Sequence, residues 1–166
     1  DVLSAADAVS WRAPYQTSSG LRDKINQGQV RFVDLHLSEV AQMVNYGFFG
    51  EIDVAVIEAS AIAPDGRIWL SSGIGNAPTW LLRAKKVIIE LNHYHNPRVA
   101  EFVDIVIPGA PPRRNSVPIF HTMDRVGSQC VQIDPKKVVA VVDTELPDAG
   151  NASDKTNPVS QQIADN

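Results

Sequence analysis

The sequence has little cysteine and no strong excess of charge of either sign. Its 166 residues contain one cysteine, Cys130, which excludes a disulfide within the chain and any multi-cysteine metal site. Fifteen lysines and arginines stand against 19 aspartates and glutamates, for a net charge of −4. Because a protein that binds a nucleic-acid backbone needs a basic face, this mild acidity argues against a nucleic-acid partner.

Long hydrophobic runs are also missing. No apolar run approaches the roughly 20 residues that a membrane-crossing helix requires, so we expect no membrane partner. A chain with one cysteine fits a reducing compartment, and we expect a cytoplasmic location. The remaining composition, 44% hydrophobic and 20% charged, is ordinary for a globular domain and supplies enough apolar side chains for a core.

The two ends of the chain favour a piece of a longer protein. The chain starts at Asp1 rather than at a methionine. It stops soon after Pro158, which is the first position of a predicted helix that Asn157 can cap. A helix this short has few apolar side chains to bury. We therefore expect a segment of a longer polypeptide, and a frayed natural C-terminus is the alternative.

Strand patterns alternate with helical patterns, which predicts an α/β fold with helices flanking a largely parallel or mixed sheet. Nearly continuous apolar runs predict buried strands at 53–60, 86–92 and 138–142. The other predicted strands are 30–37, 67–70 (after a turn at 64–66) and 104–107. The predicted helices are 21–25, a helix capped by Ser38 and ended by Gly47, and 78–85.

The glycine-rich segment 71–76 is a candidate anion-binding loop. Gly73 and Gly75 permit positive φ and a close approach of the backbone, and Asn76 is a good cap for the helix that follows. The free N–H groups at a helix start attract carboxylates and phosphates. The spacing matches neither a dinucleotide fingerprint nor a P-loop. A tight strand-to-helix connection without a ligand is the alternative.

A second candidate is the proline-rich loop 111–116, which carries Arg113 and Arg114. A guanidinium on a stiff loop can hold a carboxylate or phosphate through two parallel hydrogen bonds. An exposed charged loop without a ligand is the alternative interpretation.

Several other residue types invite a chemical interpretation. His93 and His95 have the spacing of two metal ligands on a strand end, but no third ligand is recognisable nearby, so we expect no metal site. Glu58 and Glu90 interrupt apolar strands and are either functional carboxylates or strand-edge residues. Cys130 fits an inert small hydrophobic residue better than a nucleophile.

A set of motifs in a fixed order supports a family resemblance. They are 11–14, 33–37, 53–59, 63–66, 71–76, 84–92, 112–118, 124–127 and 133–138. Each motif is weak alone, but together they cover nearly the whole chain. In this order they resemble the acetyl-CoA hydrolase/transferase family, which includes acetate-, propionate- and succinate-type CoA-transferases.

The resemblance implies an α/β fold of the CoA-transferase type. It implies that residues 1–166 are a segment, a partial domain, of the N-terminal CoA-transferase domain of a two-domain polypeptide. The family's catalytic glutamate lies in the second half, where it forms an acyl anhydride and then a CoA thioester. Ser38-Glu39 looks similar, but it falls in a first-half motif and is interpreted as a helix cap. We therefore expect no catalytic residue in this chain and an inactive segment.

The resemblance also implies which residues line the substrate site. They are Ser72, Gly73, Ile74, Gly75 and Asn76 of the glycine loop, and Arg114 of the arginine loop. CoA enters as a substrate, so no cofactor is expected. The expected partners are a CoA thioester, a small carboxylic acid, the second half of the same polypeptide and, in the intact enzyme, a second copy in a homodimer.

Three functions remain open. The first is a CoA-transferase or acyl-CoA hydrolase, which differ in whether a second acid receives the CoA or water intercepts the acyl-enzyme. The second is a non-catalytic CoA- or carboxylate-binding α/β module. The third, a sugar-phosphate isomerase or deaminase on a related scaffold, is disfavoured by the ordered motifs.

Overall fold

The structure, a computed structural model, describes residues 8–12, 19–109, 111–112, 114–148 and 158–165. The strands are β1 (Trp11–Arg12), β2 (Arg31–Phe32), β3 (Val54–Ile62), β4 (Arg67–Leu70), β5 (Lys86–Asn92), β6 (Val131–Gln132) and β7 (Val138–Thr144). The α-helices are α1 (Ser19–Asn26), α2 (Leu37–Asn45), α3 (Ala77–Arg83) and α4 (Pro158–Ala164), and two 3-10 helices cover Pro97–Phe102 and Pro135–Lys137. This mixture confirms the predicted α/β fold.

Five strands form one mixed sheet in the order β6-β4-β3-β5-β7. The three strands β3, β5 and β7 are parallel neighbours. Strand β4 is antiparallel to β3, and β6 is antiparallel to β4. Because β5 and β7 run in the same direction, the segments that follow them leave the sheet at the same edge.

The core lies on one face of this sheet. Side chains from β3, β4 and β5 alternate inward and pack with α3 and with the segments around 103–105 and 131–133. The buried members are Ala55, Ile57, Ala59, Ile68, Leu70, Leu81, Ala84, Val87, Ile89, Val103, Ile105, Val131 and Ile133. Burial of this apolar stripe is what holds the short helix α3 against the sheet.

The described residues leave the opposite face of the sheet largely uncovered. Val56 of β3 is 66% exposed and Val142 of β7 is 51% exposed. Along β3 the side chains alternate between buried and exposed, and most of β7 is exposed at the sheet edge. The predicted burial of these two strands is therefore wrong for their outward faces within the described residues, which supply a covering layer to one face only.

The β3–β4 connection follows its predicted turn chemistry. Residues 64–66 form the turn, and β4 pairs antiparallel with β3 as expected. Gly66 has a φ of +89°, and a Cβ at this position would collide with the backbone carbonyl of Ile133. Only glycine satisfies both constraints.

The predicted strand 30–37 is mostly not a strand. Only β2 pairs, and it pairs with β1 in a separate two-stranded parallel sheet. The helix α2 begins at Leu37, so His36 occupies its cap position and Ser38 lies inside the first turn. The expectation that Ser38 caps this helix is wrong. The helix ends as predicted near Gly47, which has a φ of +78°.

The predicted strand 104–107 is reduced to one antiparallel bridge between Ile105 and Ser128. The carboxylate of Asp104 accepts hydrogen bonds from the backbone N–H groups of Val126 (3.0 Å) and Gly127 (2.7 Å). These bonds occupy backbone groups that would otherwise extend a strand ladder.

The helices predicted at 21–25 and 78–85 appear as α1 and α3, each within two residues of its expected bounds. Within the described ranges, no helix is long and apolar enough to cross a bilayer.

Candidate functional site

The glycine-rich loop joins β4 to α3, as its spacing predicts. Gly75 has a φ of +43°, a conformation that favours glycine. Gly73 does not have a positive φ, and a Cβ there would meet nothing within 4 Å. Of the two glycines that permit a positive φ, only Gly75 adopts one, and the described chain leaves open space beside Gly73.

Asn76 occupies the cap position of α3, but its side chain makes no capping hydrogen bond. Its Nδ2 atom instead donates to the backbone oxygen of Leu37, 3.3 Å away. This bond joins the end of the glycine loop to the first residue of α2. The predicted position of Asn76 is right and its predicted capping role is wrong.

Arg114 and the end of the glycine loop line the same small cavity, which we call the arginine cavity. Its volume is about 200 Å³, and its walls include Ser38, Gln42, Gly75, Asn76, Thr79 and Arg114. The Nε atom of Arg114 donates to the carbonyl oxygen of Gly109 (3.1 Å), which fixes the guanidinium. No other hydrogen-bond partner of Arg114 occurs among the described residues, so its terminal nitrogens are available to a ligand.

The other three predicted lining residues, Ser72, Gly73 and Ile74, do not line this cavity. Ile74 packs against the hydrophobic core. The hydroxyl of Ser72 donates to Oδ2 of Asp148 at 2.7 Å. The structure thus brings Gly75, Asn76 and Arg114 together in one cavity that excludes Ser72, Gly73 and Ile74.

Next to Ser72 lies a cluster that the sequence did not reveal, and we call it the His95 cluster. It consists of Glu58, His95 and Asp148, which offer one ligand atom each within 4.8 Å of one another. The Nε2 atom of His95 is 2.9 Å from Oε1 of Glu58 and 3.3 Å from Oδ1 of Asp148. The expectation that no third ligand lies near His95 is wrong, because the parallel sheet brings together residues that are distant in sequence.

His93 has a different environment from His95. Its Nε2 atom lies 2.6 Å from Oδ1 of Asp143, and both side chains are more than half exposed. Glu90 also has a simple partner, since its Oε1 atom accepts a hydrogen bond from the hydroxyl of Thr144 (3.0 Å). Glu90 therefore ties β5 to the end of β7. Cys130 lies just before β6 and is partly buried.

Two clearly shifted pKa values lie outside both sites. Two carboxylates, Glu51 and Asp53, raise the pKa of Lys85 to about 12. The backbone N–H groups of Phe120 and His121, each 2.9 Å from Oδ2 of Asp124, hold the pKa of Asp124 below its usual value. Neither Lys85 nor Asp124 lines the arginine cavity, so both pKa shifts reflect local contacts at the protein surface.

Comparison with known proteins places this geometry in context. The family described as acetyl-CoA hydrolase/transferase N-terminal domain matches residues 1–143. The chain is 86% identical over 166 residues to propanoyl-CoA:succinate CoA transferase of Escherichia coli (strain K12). The matched region covers all of this chain and 34% of that protein. It is 40% identical to succinyl-CoA:acetate CoA-transferase of Clostridium kluyveri, over 97% of this chain and 30% of that protein.

A more distant relative is acetyl-CoA hydrolase of Yarrowia lipolytica, 35% identical over 95% of this chain and 31% of that protein. The chain thus spans about one third of the length of the curated relatives it matches. Among solved structures, RipA from Yersinia pestis superposes with a TM-score of 0.56 at 19% identity, over 92% of this chain and 31% of that one. This likeness establishes a shared fold.

Proposed function

The chain belongs to the acetyl-CoA hydrolase/transferase family, and from this membership we propose that the full-length protein moves CoA between small carboxylic acids. The observation that carries the proposal is the 86% identity to a propanoyl-CoA:succinate CoA transferase along the whole chain. More distant relatives are named as a transferase and as a hydrolase, so the family alone allows both reactions. We choose transfer, with propanoyl-CoA as donor and succinate as acceptor.

The proposed reaction is a double displacement on a carboxylate nucleophile that lies outside this chain. The carboxylate attacks the thioester carbonyl, the CoA thiolate leaves, and an acyl anhydride forms. The thiolate then attacks the enzyme carbonyl of the anhydride, which releases the donor acid and leaves an enzyme–CoA thioester. The acceptor carboxylate attacks the carbonyl of this thioester, the CoA thiolate leaves again, and a second anhydride forms. Attack of CoA on the acceptor's carbonyl then forms the new acyl-CoA and frees the enzyme carboxylate.

The arginine cavity is the proposed binding place of the substrate carboxylate. Arg114 can offer two parallel N–H groups to one carboxylate, an arrangement that fixes both position and orientation. Asn76 and Thr79 line the same cavity and add polar groups to it. A volume of about 200 Å³ suits a small acid and leaves no room for a long acyl chain.

Water competes with the acceptor acid for the acyl-enzyme. If water attacks the anhydride or the thioester, the net reaction is hydrolysis and CoA is released. An acid held by Arg114 occupies the place that water would otherwise take. The balance between transfer and hydrolysis is therefore the quantity that tests the proposed cavity.

The direct test is an assay of the full-length protein with propanoyl-CoA and succinate. We expect succinyl-CoA to form and double-reciprocal plots to give parallel lines, as a double displacement requires. Release of free CoA at a rate independent of succinate would show that the protein catalyses hydrolysis rather than transfer. CoA binding without either product would favour the non-catalytic binding module. The segment 1–166 alone serves as the control and is expected to be inactive.

The proposal includes three further properties of the full-length protein. It is a homodimer, it contains the catalytic carboxylate in its second half, and it works in the cytoplasm. Sedimentation at equilibrium should give twice the mass of the full-length chain, and a mass equal to one chain would contradict the dimer.

A further inference from the structure

We propose that Glu58, His95 and Asp148 bind one Zn²⁺ ion. The three residues come from three neighbouring parts of the parallel sheet: β3, the turn after β5 and the segment after β7. None of them lines the arginine cavity. The inference is therefore independent of the proposed CoA chemistry, and it concerns a second site in the same domain.

The first argument is the state of the buried polar atoms. The side chain of His95 is only 8% exposed. Its Nε2 atom and Oε1 of Glu58 are both buried, and neither makes a well-aligned hydrogen bond to a described residue. The two atoms face each other at 2.9 Å without meeting hydrogen-bond geometry, and buried polar atoms that lack such bonds are costly. A cation between them would satisfy both.

The second argument is the distances between the ligand atoms. A tetrahedral site with bonds of about 2.1 Å places its ligand atoms roughly 3.4 Å apart. Nε2 of His95 lies 2.9 Å from Oε1 of Glu58 and 3.3 Å from Oδ1 of Asp148. All three ligand atoms lie within 4.8 Å of one another, so the backbone already places the three side chains around one point.

The third argument is the chemistry of the donors. An imidazole and carboxylates are all ligand types that zinc accepts in sites with few ligands, whereas magnesium and calcium favour six or more oxygen ligands. Two carboxylates also balance the two positive charges of the ion. Three protein ligands leave a fourth position, and Asp148, which is 57% exposed, opens it to water.

Ser72 supplies the support that a metal-binding carboxylate needs. Its hydroxyl donates to Oδ2 of Asp148 at 2.7 Å, while Oδ1 of the same carboxylate faces His95. One oxygen is thus held by the protein, and the other is directed at the metal position. Hydrogen bonds of this kind orient metal ligands in known sites. The bond to Asp148 also gives a role to Ser72, which does not line the arginine cavity.

The test is a calorimetric titration of the full-length protein with ZnCl₂ after treatment with a chelator. We expect the wild-type protein to bind zinc at this site with a micromolar or lower Kd and to show a raised Tm with zinc. Asp148→Asn should weaken that binding at least tenfold and remove the Tm shift. This variant lies on an exposed segment, so it keeps the fold. His95→Gln should have the same effect.

The matched control is His93→Gln. His93 lies two residues from His95 but pairs with Asp143 outside the cluster, so its variant should bind zinc as the wild type does. The inference is wrong if the wild-type protein binds no zinc, in which case the contacts of His95 with Glu58 and Asp148 are the whole structural role of the cluster. It is also wrong if Asp148→Asn and His95→Gln titrate like the wild type.

Discussion

The proposed role of Arg114 in binding a carboxylate rests on one hydrogen bond and on its place in the lining of the arginine cavity. The bond from its Nε atom to Gly109 holds the guanidinium in place at the end of a proline-rich loop. An arginine fixed in this way loses less conformational freedom when it binds a carboxylate than a mobile one does. The residue type was recognisable in the sequence, whereas its position in the same cavity as Asn76 required the fold.

We expect Arg114→Ala in the full-length protein to raise the KM for the acceptor acid by about tenfold or more, since it removes charge-assisted hydrogen bonds to the carboxylate. Steady-state kinetics with varied succinate measure this change. Arg67→Ala is the matched control, because Arg67 pairs with Asp65 on the β3–β4 hairpin and lies over the ring of Trp69. An unchanged KM in Arg114→Ala would remove this arginine from the substrate site.

His95 and Gly73 show that sequence spacing does not predict the environment of a single residue. The H-x-H spacing marks two histidines equally, yet His95 is buried beside two carboxylates and His93 is exposed. The difference depends on which side of the turn faces the sheet, and spacing alone does not report that. The sequence likewise does not distinguish Gly73 from Gly75, although only Gly75 has a positive φ.

At the scale of elements, Asn92 holds the end of β5 to the segment after β7. Its side chain is almost fully buried. Its Oδ1 atom accepts from the backbone N–H groups of Tyr94 (3.1 Å) and Leu146 (3.2 Å), and its Nδ2 atom donates to the carbonyl oxygen of Leu146 (2.8 Å). Three backbone groups depend on one amide. This amide therefore positions the segment that carries Asp148.

We expect Asn92→Ala to destabilise this segment by about 2–4 kcal/mol, because it leaves buried backbone groups without partners. Hydrogen exchange measured by mass spectrometry on the full-length protein should show faster exchange at residues 144–148. Asn96→Ala is the control, since Asn96 accepts one exposed bond from the backbone N–H of Arg98 (2.9 Å) at the start of a 3-10 helix. Equal exchange in both variants would contradict the role given to Asn92.

The elements that the sequence predicted well are long and locally consistent. Strands β3 and β5 contain long apolar runs, and the turn at 64–66 has its own chemistry. The strand predictions for 30–37 and 104–107 are wrong, because short apolar stretches adopt the structure that their neighbours impose. In the second of them, Asp104 accepts backbone hydrogen bonds from Val126 and Gly127, and this is a contact between distant segments.

At the scale of the whole molecule, the uncovered sheet face is the dominant feature. It presents Val56 of β3 and Ala140 and Val142 of β7, the two strands on either side of β5, and soluble proteins rarely leave such an apolar face open. An apolar run in the sequence indicates burial but not which layer provides it. The described residues cover only one face of these strands, and the chain spans about one third of the length of its curated relatives.

We expect the 166-residue chain, produced alone, to self-associate through this face, and Val56→Lys to reduce the association. Sedimentation velocity at increasing concentration measures it. Val159→Lys is the control, because Val159 is 64% exposed but lies on α4 and adds the same charge. An equal effect of both variants would mean that net charge, rather than the sheet face, governs the association.

The order of the strands in the sequence has a consequence for how the protein is made. Strands β3, β4 and β5, with α3 between them, lie in the continuous stretch 54–92, whereas β7 joins the same sheet from 138–144. Contacts within one short stretch form faster than contacts between distant ones. On a translating ribosome, the centre of the sheet and its first covering helix can therefore assemble early. Strand β7 then docks onto an existing template, and the residues beyond it are the last to reach their place.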